Sequence, residues 1–167
     1  MRLIYPTSSL QGNPKDNFIS LWHILNKQRA LMNINPLPLK EALDLFCDGL
    51  SPLGPFWDHV LGYWKESLES PQKILFLKYE DMKKDSRSEL KRLAEFLGYP
   101  FLWEEESEGD VNKNGMTLLK FENKELFRKA EVGDWKNYLT PKMAERFDYL
   151  IEEKLHGSWL VFENCLD

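Results

Sequence analysis

The sequence is poor in the side chains that most often bind metal ions or form disulfides. Its 167 residues include only two cysteines, Cys47 and Cys165, and three histidines, and these do not recur at a metal-ligand spacing. The pattern therefore predicts no metal site. A cysteine-poor chain is typical of a reducing compartment, and the first residues hold no apolar run long enough for a signal peptide, so we expect a cytoplasmic protein.

Long apolar runs and an excess of basic charge are also absent. No apolar run is longer than that of Ile74 to Leu77, far short of the roughly 20 residues that a membrane-spanning helix needs. The 22 basic and 27 acidic residues give a formal net charge of −5, and the basic residues are scattered along the chain. These features predict neither a membrane nor a nucleic-acid partner.

The residues that are present are typical of a folded α/β domain. A hydrophobic content of 43% and six tryptophans allow a substantial core, and the length suits a single domain over residues 1–167. Lys73 to Tyr79 has a short, continuously apolar centre, as expected for a buried strand. Apolar periodicity, caps and turn residues predict helices at about 14–27, 40–47, 57–68, 86–97 and 141–156, and a strand at 2–5 followed by a turn at 6–9.

The predicted helix at 14–27 has a well-defined start. Asn13 is a suitable N-cap, Pro14 fits the first helical position, and Asp16 places an acid in the first turn. The first backbone N–H groups of a helix lack intrahelical acceptors and carry partial positive charge. We therefore expect this helix end to be able to receive a phosphate.

A second anion site is indicated by two adjacent cations, Arg128 and Lys129, near a glycine. A guanidinium group offers a planar fork that matches phosphate oxygens, and an ammonium group adds a compact charge. The alternative is an exposed basic pair in a loop.

Four stretches of the sequence together resemble the cytosolic sulfotransferases, and those of plants in particular. In the family's order, they are Asn13-Pro14-Lys15-Asp16, Tyr79-Glu80-Asp81-Met82, Arg128-Lys129 and Gly133-Asp134-Trp135-Lys136-Asn137. The resemblance covers roughly residues 12–107 and 126–160. It implies the α/β sulfotransferase fold, which is P-loop-containing nucleotide hydrolase-like, truncated at the N-terminus and helix-rich. It also implies transfer of a sulfuryl group from PAPS (3′-phosphoadenosine 5′-phosphosulfate) to a hydroxyl group of a small molecule such as a flavonoid, steroid or hormone.

The resemblance also implies four donor-binding residues. Ser20 and the Arg128–Lys129 pair would bind the 3′-phosphate of PAPS, and Tyr79 would lie near the adenine–ribose end. Two positions depart from the family pattern, because Gly12 stands in place of a phosphate-binding arginine and Ala130 in place of a glycine. The loss of one charge-assisted hydrogen bond would weaken donor binding about tenfold to a hundredfold.

No residue matches the two catalytic roles of that family, a lysine in an N-terminal phosphate-binding loop and a histidine base. The run Tyr5 to Ser9 faintly resembles both regions, with Thr7 where the lysine would stand. His59 is interpreted as a packed or capping histidine. We therefore predict no catalytic residue in this chain. Two hypotheses compete: a sulfotransferase with little or no activity, and a non-catalytic remnant that binds an adenosine 3′-phosphate nucleotide or a protein partner.

The sequence leaves the oligomeric state open. Lys136, Thr140 and Glu145 fit the spacing of a stretch that mediates dimers in animal sulfotransferases, but Pro141 stands where those proteins have valine. A homodimer is therefore one possibility and not a prediction.

Overall fold

The structure, a computed structural model, describes residues 7–52, 54–99 and 131–162. It is a mixed, helix-rich arrangement, as the sequence predicts. The elements are β1 (Thr7–Gln11), α1 (Pro14–Leu31), α2 (Leu39–Cys47), α3 (Phe56–Glu69), β2 (Ile74–Lys78), α4 (Tyr79–Lys84), α5 (Ser86–Leu97) and α6 (Pro141–Leu155). A short 3₁₀ helix, Asp134–Asn137, precedes α6.

The two described strands form a parallel pair. Thr7 lies opposite Ile74, and the register continues to Gln11 opposite Lys78. The turn predicted at 6–9 is therefore wrong, because Thr7 to Ser9 are part of β1. Turn-forming residues were overridden here by pairing with a strand far along the chain, which local sequence patterns cannot reveal. The strand predicted at 2–5 lies outside the described residues.

Aromatic side chains from three helices form the centre of the core. Phe18 of α1, Phe46 of α2 and Phe147 of α6 are all buried. Their ring centroids lie 5.4 to 5.6 Å apart in each pairing, within the range of favourable aromatic contacts. A second contact, 5.3 Å between the rings of Trp64 and Phe76, joins α3 to β2. The contacts of Phe18 pack α1 against α2 and α6.

Local signals predicted most helix ends correctly. Asn13 caps α1, Thr140 caps α6, and Gly98 ends α5 in the left-handed conformation with φ of 78°. The helix predicted at 86–97 matches α5, and its N-cap is Asp85, whose carboxylate accepts hydrogen bonds from the backbone N–H and the hydroxyl of Ser88. Aspartate is among the residues that most favour the N-cap position.

The first helix is longer than the sequence predicts, because it continues from about residue 27 to Leu31. The added turn contains Arg29, whose Nε donates a hydrogen bond to the carbonyl oxygen of Asn35 at 2.7 Å. The helix ends before Asn33, which adopts the left-handed conformation with φ of 55°, while the backbone N–H of Ile34 donates to the carbonyl oxygen of Arg29 at 2.8 Å. Within the three described ranges, no helix combines the length and the apolarity that crossing a bilayer would require.

Candidate functional site

The N-terminus of α1 follows β1 after two residues and is tied by a hydrogen bond to α4, which begins directly after β2. The side chain of Asn13 accepts a bond from the backbone N–H of Lys15 at 2.9 Å. Its own backbone N–H donates to Oε1 of Glu80 at 2.6 Å. These two N–H groups therefore already have protein acceptors, and the expectation that the end of this helix receives a phosphate stays a prediction.

Lys15 is a structural residue of this region. Its side chain is completely buried, and Nζ lies 2.5 Å from Oδ1 of Asp148 in α6. The same ammonium group lies 4.1 Å from the ring centroid of Trp135, a cation–π distance. A buried charge needs such partners, since an isolated ammonium group would lose its hydration without compensation. Lys15 therefore joins α1 to α6 and to the 3₁₀ helix, and it is not available to a ligand phosphate.

Asp16 makes the second long-range connection from α1. Its Oδ2 accepts a hydrogen bond from the backbone N–H of Gly133 at 2.7 Å, and its Oδ1 accepts one from the N–H of Trp135 at 2.9 Å. Gly133 adopts φ of 84°, a left-handed conformation that a residue with a Cβ enters only with strain. The carboxylate thus holds a glycine-dependent turn against the first turn of α1.

Gly12 lies where the ends of the two strands approach α1. A Cβ at this position would lie 3.4 Å from Cβ of Tyr79 and 3.6 Å from Oε1 of Glu80, which are ordinary contact distances. Glycine is therefore not required here by close packing of its neighbours. A longer side chain would begin directly beside the carboxylate of Glu80.

The described part of this region carries negative charge. The pKa of Glu80 is raised, mainly by burial. The hydrogen bond from Asn13 lowers this pKa, and the negative charges of Asp16 and Asp81 raise it further. Burial also raises the pKa of the Tyr79 phenol, with smaller contributions from Asp16 and Glu80. Oε2 of Glu80 is buried and has no hydrogen-bond partner among the described residues. An anionic ligand here would need positive charge from other residues.

A family model described as the sulfotransferase domain matches residues 9–159 of the chain. The chain belongs to the sulfotransferase family. Among its relatives, cytosolic sulfotransferase 15 of Arabidopsis thaliana is 46% identical over 167 residues, which cover 90% of this chain and 46% of that protein. Flavonol 4′-sulfotransferase of Flaveria chlorifolia is 48% identical over 170 residues, covering 90% of this chain and 53% of the relative. The chain thus spans about half the length of the curated relatives it matches.

Solved sulfotransferase structures show the same fold. Mouse sulfotransferase SULT7A1 complexed with PAP is 30% identical, with a TM-score of 0.74 over 92% of this chain and 59% of that one. A putative steroid sulphotransferase of Arabidopsis thaliana is 39% identical, with a TM-score of 0.62 over 92% of this chain and 45% of that one. The resemblance to plant sulfotransferases and the predicted helix-rich α/β sulfotransferase fold are both confirmed.

The structure places two of the four residues that the sulfotransferase resemblance singled out. Ser20 is half-buried in α1, seven residues after Asn13, so it lies on the same helix face about 10 Å further along the axis. Tyr79 is the first residue of α4, directly after β2 and in contact range of position 12. Arg128 and Lys129 lie outside the described residues, as does Ala130. The structure therefore brings Tyr79 to the N-terminal end of α1, while the grouping of all four residues stays a prediction.

Two residues with defined roles in this region were not singled out from the sequence. Asp16 was assigned only a favourable charge in the first turn of a helix, yet it binds two backbone N–H groups of a distant turn. Glu80 was considered only as part of the Tyr79–Met82 motif, yet it is 3% exposed and accepts a hydrogen bond from the backbone N–H of Asn13, the N-cap of α1. An acid at the end of a predicted buried strand was the available signal, because such a carboxylate must find donors.

Three other residues discussed in the sequence analysis, His59, Lys136 and Glu145, are exposed or line a cleft. His59 is exposed, and its Nε2 lies 3.1 Å from the position of a Cβ on Gly54. Lys136 and Glu145 line a cleft of about 560 Å³ beside α6. Within the described ranges, no group of three or more His, Cys, Asp and Glu side chains is arranged to hold a metal ion.

Proposed function

We propose that this chain is the donor-binding part of a PAPS-dependent sulfotransferase, which transfers a sulfuryl group to a hydroxyl group of a small molecule. Membership of the family supports the reaction class. Solved relatives complexed with PAP, the desulfated donor, support the nucleotide. The proposed location is the cytoplasm, in keeping with the relatives named cytosolic sulfotransferases.

The observation that carries this proposal is the pair of hydrogen bonds that the backbone N–H groups of Gly133 and Trp135 donate to the carboxylate of Asp16, which we call the clasp. Arg128 and Lys129 precede Gly133 by five and four residues. A span of four residues reaches at most about 14 Å, so the clasp limits how far Lys129 can lie from the first turn of α1. Ser20 belongs to that same helix. The clasp therefore supports convergence of Ser20 with the basic pair.

Each proposed donor-binding residue supplies a different interaction. The guanidinium of Arg128 and the ammonium of Lys129 would bind the 3′-phosphate, and the hydroxyl of Ser20 would donate to it. The ring of Tyr79 would contact the adenine–ribose end. Because Asp16 and Glu80 make the described surroundings acidic, nucleotide binding would depend strongly on the two cations.

The proposed acceptor is a flavonoid, a steroid or a hormone with a free hydroxyl group. Relatives that are named flavonol sulfotransferases support the first class, and the relative named as a putative steroid sulphotransferase supports the second. A screen of radiolabel transfer from PAPS to representatives of each class would identify the acceptor.

A second candidate function is nucleotide binding with little or no sulfuryl transfer by this polypeptide. The observation that favours it is Gly12, which offers no cation beside Glu80 and Tyr79 where the family has an arginine. Moreover, no residue of the sequence matches the family's catalytic lysine or histidine. Clear transfer of radiolabel from PAPS to a flavonol, abolished by Arg128→Ala, would exclude this candidate.

Calorimetric titration of the purified chain with PAP tests nucleotide binding. We expect saturable binding that Arg128→Ala or Lys129→Ala weakens about tenfold or more, because each variant removes a charged contact to phosphate. Lys142→Ala, an exposed lysine of α6, is the matched control and should bind like the unmodified chain. Adenosine 5′-phosphate lacks the 3′-phosphate and should bind more weakly than PAP. Equal affinity for the two nucleotides, or no binding at all, would contradict the proposal.

A further inference from the structure

We propose that a pocket between α1 and α2 binds a small amphiphilic anion, with an apolar body and a single carboxylate-like head. This α1–α2 pocket encloses about 290 Å³. Its lining includes neither Ser20 nor Tyr79, so it is separate from the proposed donor site. The inference is also independent of the proposed function, since it requires neither PAPS nor sulfuryl transfer.

The walls of the α1–α2 pocket are apolar. Leu21 and Leu25 contribute from α1, and Ala42 contributes from α2. Met32 and Leu50 also line the pocket but are 69% and 62% exposed, so it opens to solvent beside them. An apolar cavity with an open side is favourable for a ligand that buries a hydrocarbon body and keeps one end near water.

The polar end of the ligand is selected by Arg29. Within the described residues, Arg29 is the only charged side chain of the lining, and no carboxylate lines the pocket. Its Nε donates to the carbonyl oxygen of Asn35, which orients the guanidinium group. The two terminal nitrogens of the group have no acceptor among the described residues and can donate to an anionic head in a forked geometry. Gln28 beside it adds an uncharged amide.

The volume of the α1–α2 pocket limits the size of the ligand. A water molecule occupies about 30 Å³ in the liquid, so 290 Å³ corresponds to about ten non-hydrogen atoms. Octanoate has this size together with an apolar chain and a carboxylate. Octanamide has the same shape and no charge, so it is a matched neutral ligand. The expected dissociation constant for octanoate is on the order of 1 mM, since so few atoms limit the affinity.

The full chain labelled with ¹³C in its methionine methyl groups tests binding at this pocket. Octanoate should shift the Met32 methyl signal saturably, while Met82 of α4 and Met143 of α6 stay unchanged. Met32→Leu assigns the signal by removing it. Octanamide should bind about fivefold more weakly, the difference expected for a partly exposed charge pair. If the Met32 methyl does not shift, or if the two ligands bind equally, the proposal is overturned.

Different substitutions test the contribution of the Arg29 charge and that of the pocket volume separately. Arg29→Gln should weaken octanoate binding about fivefold and leave octanamide binding unchanged. Lys27→Gln removes the same charge from the same helix outside the lining, and should alter neither. Ala42→Phe should fill the cavity and abolish the shift; Leu25→Trp, at a half-buried position of α1, fills it with less strain on the core. Equal effects of Arg29→Gln and Lys27→Gln, or unchanged binding by folded cavity-filling variants, would overturn the proposal.

Discussion

Oδ2 of Asp16 lies 2.7 Å from the backbone nitrogen of Gly133, although the two residues are 117 positions apart in the chain. The bond joins the first turn of α1 to the turn that follows the Arg128–Lys129 pair. Lys15, the preceding residue, is bound to Asp148 and stacks on Trp135. Two adjacent side chains of one motif therefore hold the later part of the chain against the helix that carries Ser20.

Removing one of the two acceptor oxygens of Asp16 should destabilise the folded chain. Asp16→Asn keeps the shape of the side chain, but the amide offers one acceptor oxygen to two N–H groups. We expect the free energy of unfolding to fall by about 1–3 kcal/mol, measured by urea denaturation. We also expect weaker PAP binding. Glu152→Gln, an exposed residue of α6, is the control; equal stability of both variants would show that the clasp contributes little.

The left-handed turn at Gly133 should not tolerate a side chain. Gly133→Ala places a Cβ at φ of 84°, which should lower the free energy of unfolding by about 1–2 kcal/mol. Gly62→Ala is a matched control in the middle of α3, where the new Cβ meets no atom within 4 Å apart from its chain neighbours and the backbone of its own helix, and alanine favours the helix. Thermal denaturation should therefore show opposite changes in Tm for the two variants. A rise in Tm for Gly133→Ala would contradict the argument.

An arginine at position 12 should strengthen nucleotide binding. The Cβ of Gly12→Arg would make contacts of 3.4 and 3.6 Å, so the backbone need not move far. The new guanidinium would add a charged donor for phosphate and a partner for Glu80, and we expect PAP affinity to rise about tenfold. Gly12→Gln, which has a long side chain but no charge, is the control in the same calorimetric titration. If both variants weaken binding, steric interference at Tyr79 outweighs the added charge.

The buried carboxyl of Glu80 should make stability depend on pH. Its pKa in the folded chain is raised above the ordinary value of 4.5, so the folded state binds its proton more readily than the unfolded state. Its contribution is therefore most favourable below about pH 4.5 and is lost as the pH rises through the raised pKa. Glu80→Gln keeps an acceptor for Asn13 and has no charge. Urea denaturation should show its greatest advantage over the unmodified chain at neutral pH, and a pH-independent difference would contradict this interpretation.

The elements that sequence reasoning found are those with local causes. Asn13 and Pro14 start α1 through interactions within one turn, and Gly98 ends α5 because it adopts a left-handed conformation without strain. The resemblance to sulfotransferases also pointed to Tyr79, which the structure places beside α1. These predictions needed no knowledge of which distant segments meet.

The features that sequence reasoning missed depend on contacts between distant segments. The strand β1 forms because Thr7 to Gln11 pair with residues 67 positions later in the chain. No local sequence pattern predicts the partner of a parallel strand. The same holds for Glu80, whose carboxylate binds Asn13 across the same separation. A motif shows which residues matter, but it does not distinguish a side chain that meets the ligand from one that holds the motif together.

The clasp between Asp16 and Gly133 has a further consequence for changes in chain length. The entropy of closing a long loop grows only with the logarithm of its length, by about 0.6 kcal/mol for each doubling. Insertions or deletions of a few residues in the surface connections between these two anchors would therefore alter the closure entropy very little. The same alteration between Gly133 and Trp135 would displace one of the two N–H groups from the carboxylate, so the tolerance of this protein to length variation should end abruptly at the turn.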